Sequence, residues 1–301
     1  MNLSVIVCTF NRYDMLTQCL QALQPGVQTE AGERYEIIVV DNTPDPARRS
    51  GRGFPSSKWI VCDEVGLSNA RNVGIAAASG DIVAFIDDDA IAAPGWCHEI
   101  ISVFARHPLA VAAGGKVVPE YPAGAAPHWL TNWHTNYLSC LDWGEQEHQL
   151  REREWIVGTN MAFRRSAFAE VGVFSSELGR KGDRGLLSNE EIVLIRRLGR
   201  ERIVYDPAML VSHVIAPERL TQAWLRKRVF WQAISDQLAG IDIPDIDCAR
   251  AELRRIVPRL PAERRNLNGL WDEVETAEDF SLQLRQLSVV AHLLASGMTP
   301  C

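Results

Sequence analysis

Short apolar runs alternate with amphipathic segments along the first part of the chain. Four runs rich in β-branched residues predict buried strands, at 3–8, 37–40, 59–61 and 82–86. Apolar residues at helical spacing predict one helix that ends before Pro25 and another over 68–79 that Gly80 ends. Because strands and helices that alternate form crossover units, this pattern predicts an α/β fold with a Rossmann-like, mostly parallel sheet flanked by helices.

The pattern changes after residue 118. Pro, Gly, Trp and His are frequent over 119–154 without any period, which predicts a long ordered loop. A strand-like stretch at 155–163 and a helix–strand unit over 189–213 follow, and the remainder of the chain has helical spacing. We therefore predict a domain over 1–215, with halves at 1–118 and 119–215, and a helical C-terminal extension over 216–301.

Composition narrows the class of protein. A hydrophobic fraction of 47% in 301 residues is ordinary for a globular chain. The net charge of -7 argues against a general nucleic-acid binder, which would normally be basic. The seven cysteines are odd in number and form no CxxC pair, as in reduced cytosolic proteins. With no basic region before the first apolar run and no long uncharged apolar segment, the sequence predicts a cytoplasmic protein.

Three adjacent carboxylates, Asp87-Asp88-Asp89, follow the fourth predicted strand directly. Like charges at this spacing repel one another, and a divalent cation such as Mg²⁺ or Mn²⁺ would offset the repulsion. If the segment is extended, Asp87 and Asp89 face the same way. The alternative is a solvated turn with helix-capping Asp. The position at the carboxyl end of a strand in an α/β sheet, where ligands usually bind, favours the metal site.

Two further positions suit a nucleotide. Asp41 ends the second predicted strand, where its carboxylate can accept hydrogen bonds from a base or ribose, although Asp is also common in turns. Asn69 and Arg71 lie in the first turns of the helix after Gly66, where the helix N-terminus favours a diphosphate. The alternative for Arg71 is a place on the surface.

Two positions later in the chain suit catalysis. Glu190 and Glu191 open a predicted helix, where a carboxylate can act as a general base or can simply favour the helix dipole. His213 ends a strand-like run and is either a metal ligand or a structural histidine. The chain has no GxGxxG, GxxxxGK[ST], GxSxG or HExxH motif, which argues against dinucleotide-binding oxidoreductases, P-loop enzymes, α/β-hydrolases and zinc proteases.

Taken in order, these segments resemble the family 2 glycosyltransferases, which have a GT-A fold. The resemblance covers about residues 2–215. It is carried by VIVCTFNR at 5–12, VVDN at 39–42, GLSNARNVGIAAASGDIVAFIDDD at 66–89, GTNMAFRRSAFAEVGVF at 158–174, NEEIVLIRRLG at 189–199 and YDPAMLVSH at 205–213.

The resemblance implies a nucleotide pocket in the half at 1–118. Thr9, Asn11 and Arg12 would line it. Asp41 would hold the base, and Arg71 would lie near the diphosphate or nucleoside.

The resemblance also assigns the acidic triplet and the residues around it. Asp87-Asp88-Asp89 matches the family's DxD metal motif, with Asp89 as the direct ligand and Asp88 next to the ribose or sugar. His213 matches a strand-end histidine that completes the metal site.

The half at 119–215 would meet donor sugar and acceptor. Gly158, Thr159 and Asn160 would approach the donor sugar and the acceptor. The second carboxylate of the family's Glu-Asp pair is usually the base, which assigns Glu191, with Glu190 as the alternative.

The implied reaction is transfer of a sugar, with inversion, from a nucleotide-diphosphate sugar to an acceptor hydroxyl in glycan or polysaccharide biosynthesis. A UDP-sugar is the default donor. The acceptor stays open between a lipid-linked glycan, a polysaccharide, a protein and a small molecule. The alternatives are a sugar nucleotidyltransferase, which would usually have a Gly-rich loop after the first strand, and a non-catalytic nucleotide-sugar or partner-binding protein.

The predicted helix over 219–240 is amphipathic and carries Arg226-Lys227-Arg228. Such a helix can lie on a membrane surface, which would place the enzyme at the inner face of the membrane. The alternative, which we favour, is a helix that packs on the catalytic domain or on a partner in a homodimer.

Overall fold

The computed structural model describes residues 1–49, 54, 56–122, 124–182, 185–241 and 243–297. Its contacts divide the chain into two compact units. The α/β unit comprises Met1–Glu120, Ser139–Gly182 and Glu190–Val214. The helical unit comprises Tyr121–Leu138, Asp183–Asn189 and Ile215–Cys301.

Four parallel strands form the first half of the sheet. They are β1 (Leu3–Thr9), β2 (Tyr35–Asp41), β3 (Ser57–Val61) and β4 (Ile82–Asp87), in the spatial order β3-β2-β1-β4. In β1, Val5 and Val7 pack into the core on one face of the sheet, and Ile6 packs into the core on the other. A strand buried on both faces needs a continuous apolar run, which is the pattern that predicted these four strands.

The second half of the sheet mixes directions. Its strands are β5 (Ala90–Ala92), β6 (Ala112–Glu120), β7 (His148–Gln149), β8 (Asn160–Arg164) and β9 (Ile203–Val214). The order continues from β4 through β8, β6 and β9 to β5, with β8 antiparallel to both β4 and β6. Within the described residues β6 and β9 are parallel, with a bulge between Gly115 and Val117.

The strand predicted at 155–163 begins later than the sequence indicated. A turn closed by the hydrogen bond from Asn160 N–H to the Val157 carbonyl, at 2.9 Å, interrupts the extended backbone. Only the part from Asn160 onward joins the sheet. The turn leaves Gly158 to pack against Arg71.

The helices of the α/β unit cover both faces of the sheet. They are α1 (Tyr13–Ala22), α2 (Leu67–Ala77), α3 (Trp96–Arg106), α4 (Arg165–Val171) and α5 (Glu190–Leu198). Buried residues of α1 and α3 share one core with β1, and buried residues of α2, α4 and α5 share the other. The predicted α/β architecture is confirmed.

The helical unit contains α6 (Gln222–Ala239), α7 (Ile246–Ile256) and α8 (Ala277–Ala295), as predicted for the C-terminal region. Arg226 of α6 is only 2% exposed and donates to Gln283 of α8 at 3.1 Å. The basic triplet on α6 therefore does not form one exposed face. Among the described residues, no helix has the length and apolar character needed to cross a membrane.

Candidate active site at the carboxyl edge of the sheet

Three neighbouring parallel strands end at the same edge with polar side chains. Thr9 at the end of β1 is in register with Asp41 at the end of β2, and Cys8 is in register with Asp87 at the end of β4. All of these chain segments leave the sheet here, so side chains from separate parts of the sequence meet. This is the edge at which open α/β sheets bind ligands.

Asp41 is 4% exposed, and its two oxygens are both held. Oδ2 accepts from the Tyr13 hydroxyl at 2.9 Å, and Oδ1 accepts from the Thr43 N–H at 3.0 Å. The Asn11 N–H donates to the Thr43 hydroxyl oxygen at 2.9 Å, with Asn11 at φ +57°, a conformation that Asn tolerates better than most residues. The loop after β1 and the end of β2 are thereby fixed to each other.

Tyr13 and Thr43 were not identified from the sequence as parts of this site. The signal for Thr43 was its position two residues after Asp41, because an Asp side chain often accepts from the backbone N–H two residues on. Tyr13 gave no such signal, since an aromatic residue that opens a helix is equally suited to the core.

Asp88 is fully buried between Thr9 and Arg12. The Thr9 hydroxyl donates to Oδ2 at 2.7 Å, and the Arg12 guanidinium pairs with Oδ1. Burial raises the pKa of Asp88 to about 7, although the positive charge of Arg12 acts in the opposite direction. The same guanidinium pairs with Asp89 Oδ2 at 2.6 Å, so it bridges two carboxylates of the triplet.

Asp87 and Asp89 do not face the same way, contrary to the prediction from an extended segment. The chain turns at residues 88 and 89, so the alternation of side chains stops at the end of β4. Asp87 accepts from the Thr159 hydroxyl at 2.8 Å and lies 3.4 Å from Arg71 Nη2, whereas Asp89 shares Arg12 with Asp88. Asp87 therefore has different partners from Asp88 and Asp89, which share Arg12.

Asp89 and His213 form the part of the site that suits a metal ion. His213 Nε2 lies 3.3 Å from Asp89 Oδ1, and both side chains are at most 3% exposed. The pairing of β5 with β9 places Ala90 in register with His213 and so brings the two side chains together. Within the described part of the chain, no group of three Asp, Glu, His or Cys side chains can hold a metal by itself.

This donor set nevertheless fits Mn²⁺ or Mg²⁺ that is shared with a phosphorylated ligand. Mg²⁺ is usually held by one or two protein carboxylates and completes its shell with phosphate oxygens and water. Asp89 supplies a carboxylate and His213 an imidazole, a ligand that suits transition metals. Asp87, the third predicted ligand, is held by Thr159 and Arg71.

Arg71 lies inside the protein. Its side chain is 3% exposed, Nη1 donates to Glu190 Oε1 at 2.8 Å, and its guanidinium carbon lies 5.5 Å from the centre of the Phe174 ring. A Cβ on Gly158 would lie 2.3 Å from Arg71 Nη2, so a larger residue at that position would force the buried guanidinium to shift. The partners of Arg71 in the structure are protein carboxylates.

The two glutamates that begin α5 have different surroundings. Glu190 is 5% exposed and is paired with Arg71, while its Oε2 has no hydrogen-bond partner within the described residues. Glu191 is half-buried. Of the two, Glu191 is the more exposed to solvent, although its Oε2 is buried.

Asn160 and Asn69 occupy different environments as well. Asn160 is 0% exposed; its amide nitrogen donates to the carbonyls of Met209 and Lys116, and its oxygen accepts from Trp96 Nε1 at 2.9 Å. It therefore orders the strands beneath the site. Asn69 is half-buried in the first turn of α2.

Comparisons with known proteins identify the family of the chain. The family model described as Glycosyl transferase family 2 matches residues 4–172, more than half of the chain. A glucosyl-dolichyl phosphate glucuronosyltransferase from Haloferax volcanii is 32% identical over 253 residues, which cover 81% of this chain and 79% of that protein. A succinoglycan biosynthesis protein from Rhizobium meliloti is 26% identical over 238 residues, which cover 76% and 72%, respectively.

A solved structure supports the fold. The mannosyltransferase from Pyrobaculum calidifontis, in complex with GDP-Man and Mn²⁺, aligns with a TM-score of 0.56 at 16% sequence identity, covering 98% of this chain and 75% of that one. At this identity the likeness concerns the GT-A fold. Together with the family match over the sheet edge just described, these similarities show that the chain belongs to Glycosyl transferase family 2 and is a glycosyltransferase.

Proposed function

We propose that the chain transfers a sugar, with inversion, from a nucleotide-diphosphate sugar to an acceptor hydroxyl, with a UDP-sugar as the first donor to test. We assign this activity to a catalytic domain at 1–215. The observation that carries the proposal is the meeting of Asp41, Asp88 and the Asp89–His213 pair at one edge of the sheet.

Asp41 and Asp88 are proposed to hold the nucleoside and the ribose or sugar. The Asp41 carboxylate is already oriented by Tyr13 and Thr43, so little ordering is needed when a base or ribose donates to it. The Asp88 side chain is oriented by Thr9 in the same way.

Asp89 and His213 are proposed to hold a divalent cation, Mn²⁺ or Mg²⁺. The Pyrobaculum mannosyltransferase was solved with Mn²⁺, which supports a cation in this fold. When bound, such a cation stabilises negative charge on the departing diphosphate.

Glu191 is proposed as the general base. Glu190 Oε1 is engaged by Arg71, and its burial keeps the side chain in place. Glu191 is half-buried at the first turn of the same helix and can take the proton from the attacking hydroxyl oxygen. That oxygen then bonds to the anomeric carbon as the diphosphate leaves from the opposite face.

The acceptor class is proposed from the relatives. The Haloferax relative is a glucosyl-dolichyl phosphate glucuronosyltransferase, and the Rhizobium relative is a succinoglycan biosynthesis protein. We propose a lipid-linked sugar as the first acceptor to test.

The experiment measures donor turnover in wild type and Glu191→Gln, as nucleotide diphosphate released with Mn²⁺ and either water or a lipid-phosphate-linked glucose as acceptor. Loss of a general base should lower turnover by about 10²–10⁴-fold. Donor affinity should change by less than about twofold, because the side chain keeps its size and polarity.

Glu33→Gln is the matched control, because Glu33 is exposed in the loop before β2, away from the carboxyl edge. It should leave turnover unchanged. Near-normal turnover of Glu191→Gln would contradict the assignment and move the base to another residue, with Glu190 tested next.

A further inference from the structure

Arg12 joins Asp88 to Asp89, the carboxylate that would bind the proposed cation. Its Nη1 lies 2.6 Å from Asp89 Oδ2, and its Nη2 pairs with Asp88 Oδ1. The other oxygen of Asp89, Oδ1, lies 3.3 Å from His213 Nε2. One oxygen of Asp89 therefore faces His213, the other proposed metal ligand, and the second oxygen faces the positive charge of Arg12.

The three members of this bridge differ in exposure. The Arg12 side chain is 37% exposed, whereas those of Asp88 and Asp89 are 0% and 3% exposed. Arg12 comes from the segment between β1 and α1, where its side chain makes no helix-capping hydrogen bond. Arg12 can thus leave the carboxylates by rotation of its own side chain, while the two carboxylates stay fixed by their surroundings.

The Arg12 guanidinium can pair either with the two carboxylates or with a diphosphate, but not with both at once. While it is bound to Asp88 and Asp89, it offsets their negative charge and repels a second cation at Asp89. A guanidinium also binds phosphate groups through two parallel N–H donors, so a diphosphate at this edge competes with the two carboxylates for it.

We propose that Arg12 couples metal binding to nucleotide binding. It pairs with Asp88 and Asp89 until a nucleoside diphosphate binds, then turns to the diphosphate and leaves Asp89 to the cation. This inference rests on the proposed function, because it takes the diphosphate of the donor as the competing group. It assigns Arg12 a role in the order of binding, in addition to a place in the nucleotide pocket.

Thermodynamic linkage makes the coupling between cation binding and nucleotide binding reciprocal. If a nucleoside diphosphate raises the affinity for the cation by some factor, the cation raises the affinity for the nucleoside diphosphate by the same factor. Direct contact between cation and phosphate gives some coupling in any such enzyme. The part due to Arg12 is the part that disappears when its charge is removed.

The test measures Mn²⁺ affinity by electron paramagnetic resonance of free Mn²⁺, with no nucleotide, with uridine and with UDP. The proteins are the full-length wild type, Arg12→Met and the control Arg165→Met. Arg165 is exposed and begins α4 at the opposite edge of the sheet, where its N–H donates to the Asp81 carbonyl. Both variants lose one positive charge.

Without nucleotide, Arg12→Met should bind Mn²⁺ at least about tenfold more tightly than wild type, even after solvent screening of the half-exposed charge. Arg165→Met should stay within about twofold of wild type, because screening weakens a distant exposed charge. The gain in Mn²⁺ affinity caused by UDP should shrink at least about tenfold in Arg12→Met, by the same linkage. Uridine should give little gain in any of the proteins.

Equal or weaker Mn²⁺ binding by Arg12→Met without nucleotide would overturn the proposal. If that variant does not fold, as judged by circular dichroism, Arg12→Gln removes the charge but keeps a hydrogen-bond donor, and the same result is expected of it. Failure of wild type to bind UDP, GDP or dTDP with Mn²⁺ would instead count against the proposed function. The Mn²⁺ affinities of wild type and Arg12→Met without nucleotide test the role of Arg12 independently of nucleotide binding.

Discussion

The burial of Arg71 gives a prediction about stability. Its side chain is 3% exposed and pairs with Glu190, whose side chain is 6% exposed, at 2.8 Å. Its other terminal nitrogen lies 3.4 Å from Asp87, which is 27% exposed. In Arg71→Met the apolar side chain keeps most of the volume, but Glu190 is left as a buried carboxylate without its cation.

Removing one partner of a buried ion pair typically costs about 3–5 kcal/mol, because the remaining charge has lost its compensation. At about 2–4 °C per kcal/mol for a domain of this size, the melting temperature should fall by about 6–20 °C. In the double variant Arg71→Met/Glu190→Gln the uncompensated charge is gone, so at least about half of the lost stability should return.

The assay is thermal and urea unfolding followed by circular dichroism, with Arg165→Met as a control for loss of an exposed arginine. Arg165→Met should unfold within about 0.5 kcal/mol of wild type. If Arg71→Met is as stable as wild type but binds nucleotide diphosphate weakly, the Arg71–Glu190 pair does not stabilise the fold. Arg71 would then act chiefly on the diphosphate, as the family resemblance implied.

Two further predictions concern the packing and the acid stability of the α/β unit. Gly158→Ala should lower the free energy of unfolding in urea by about 1–3 kcal/mol, because the new Cβ would lie 2.3 Å from Arg71 Nη2. In the control Gly26→Ala the new Cβ would have no atom within 4 Å, so stability should not fall. Equal effects of the two substitutions would contradict the packing argument. Burial opposes ionisation of Glu147, but hydrogen bonds with Arg106 and His107 and the positive charge of Arg106 together outweigh it and lower the pKa of Glu147 from 4.5 to about 2. Since a depressed pKa stabilises the fold above the unfolded-state pKa, the stability advantage of wild type over Glu147→Gln should be full near pH 6 and disappear as the pH falls from about 4.5 to 2; an advantage independent of pH would contradict it.

The sequence was sufficient to predict which strand ends carry the polar side chains of the candidate site. Asp41, the Asp87-Asp88-Asp89 triplet and His213 each follow a strand with a clear apolar pattern, and the carboxyl ends of parallel strands meet at one edge. The fold class followed from the same runs. The family resemblance added roles for these residues, and the family itself is confirmed by the match over residues 4–172.

The sequence was not sufficient where long-range contacts decide the geometry. An arginine in the first turns of a helix has the same local pattern on a surface as in a core, and Arg71 is buried because Glu190, 119 positions away, packs against it. Similarly, the turn after β4 ends the alternation of side chains and separates Asp87 from Asp89, which no local pattern indicated.

Among the described residues the cysteines form no disulfide. These cysteines are Cys8, Cys19, Cys62, Cys97, Cys140 and Cys248, and Cys301 lies outside the described residues.

The strand predicted at 155–163 was too long, because the turn closed by Asn160 and Val157 depends on packing around Gly158.

We propose that the carboxyl edge of the sheet binds a nucleotide diphosphate together with a cation held by Asp89. Calorimetric titration of UDP, GDP and dTDP, each with Mn²⁺ and with a chelator, tests it most directly when wild type and Asp89→Asn are compared. We expect one nucleotide to bind wild type in the micromolar range with Mn²⁺, and we expect chelator or Asp89→Asn to remove most of this affinity. Binding that is equal with Mn²⁺ and with chelator, or no binding of any of the three nucleotides, would contradict it.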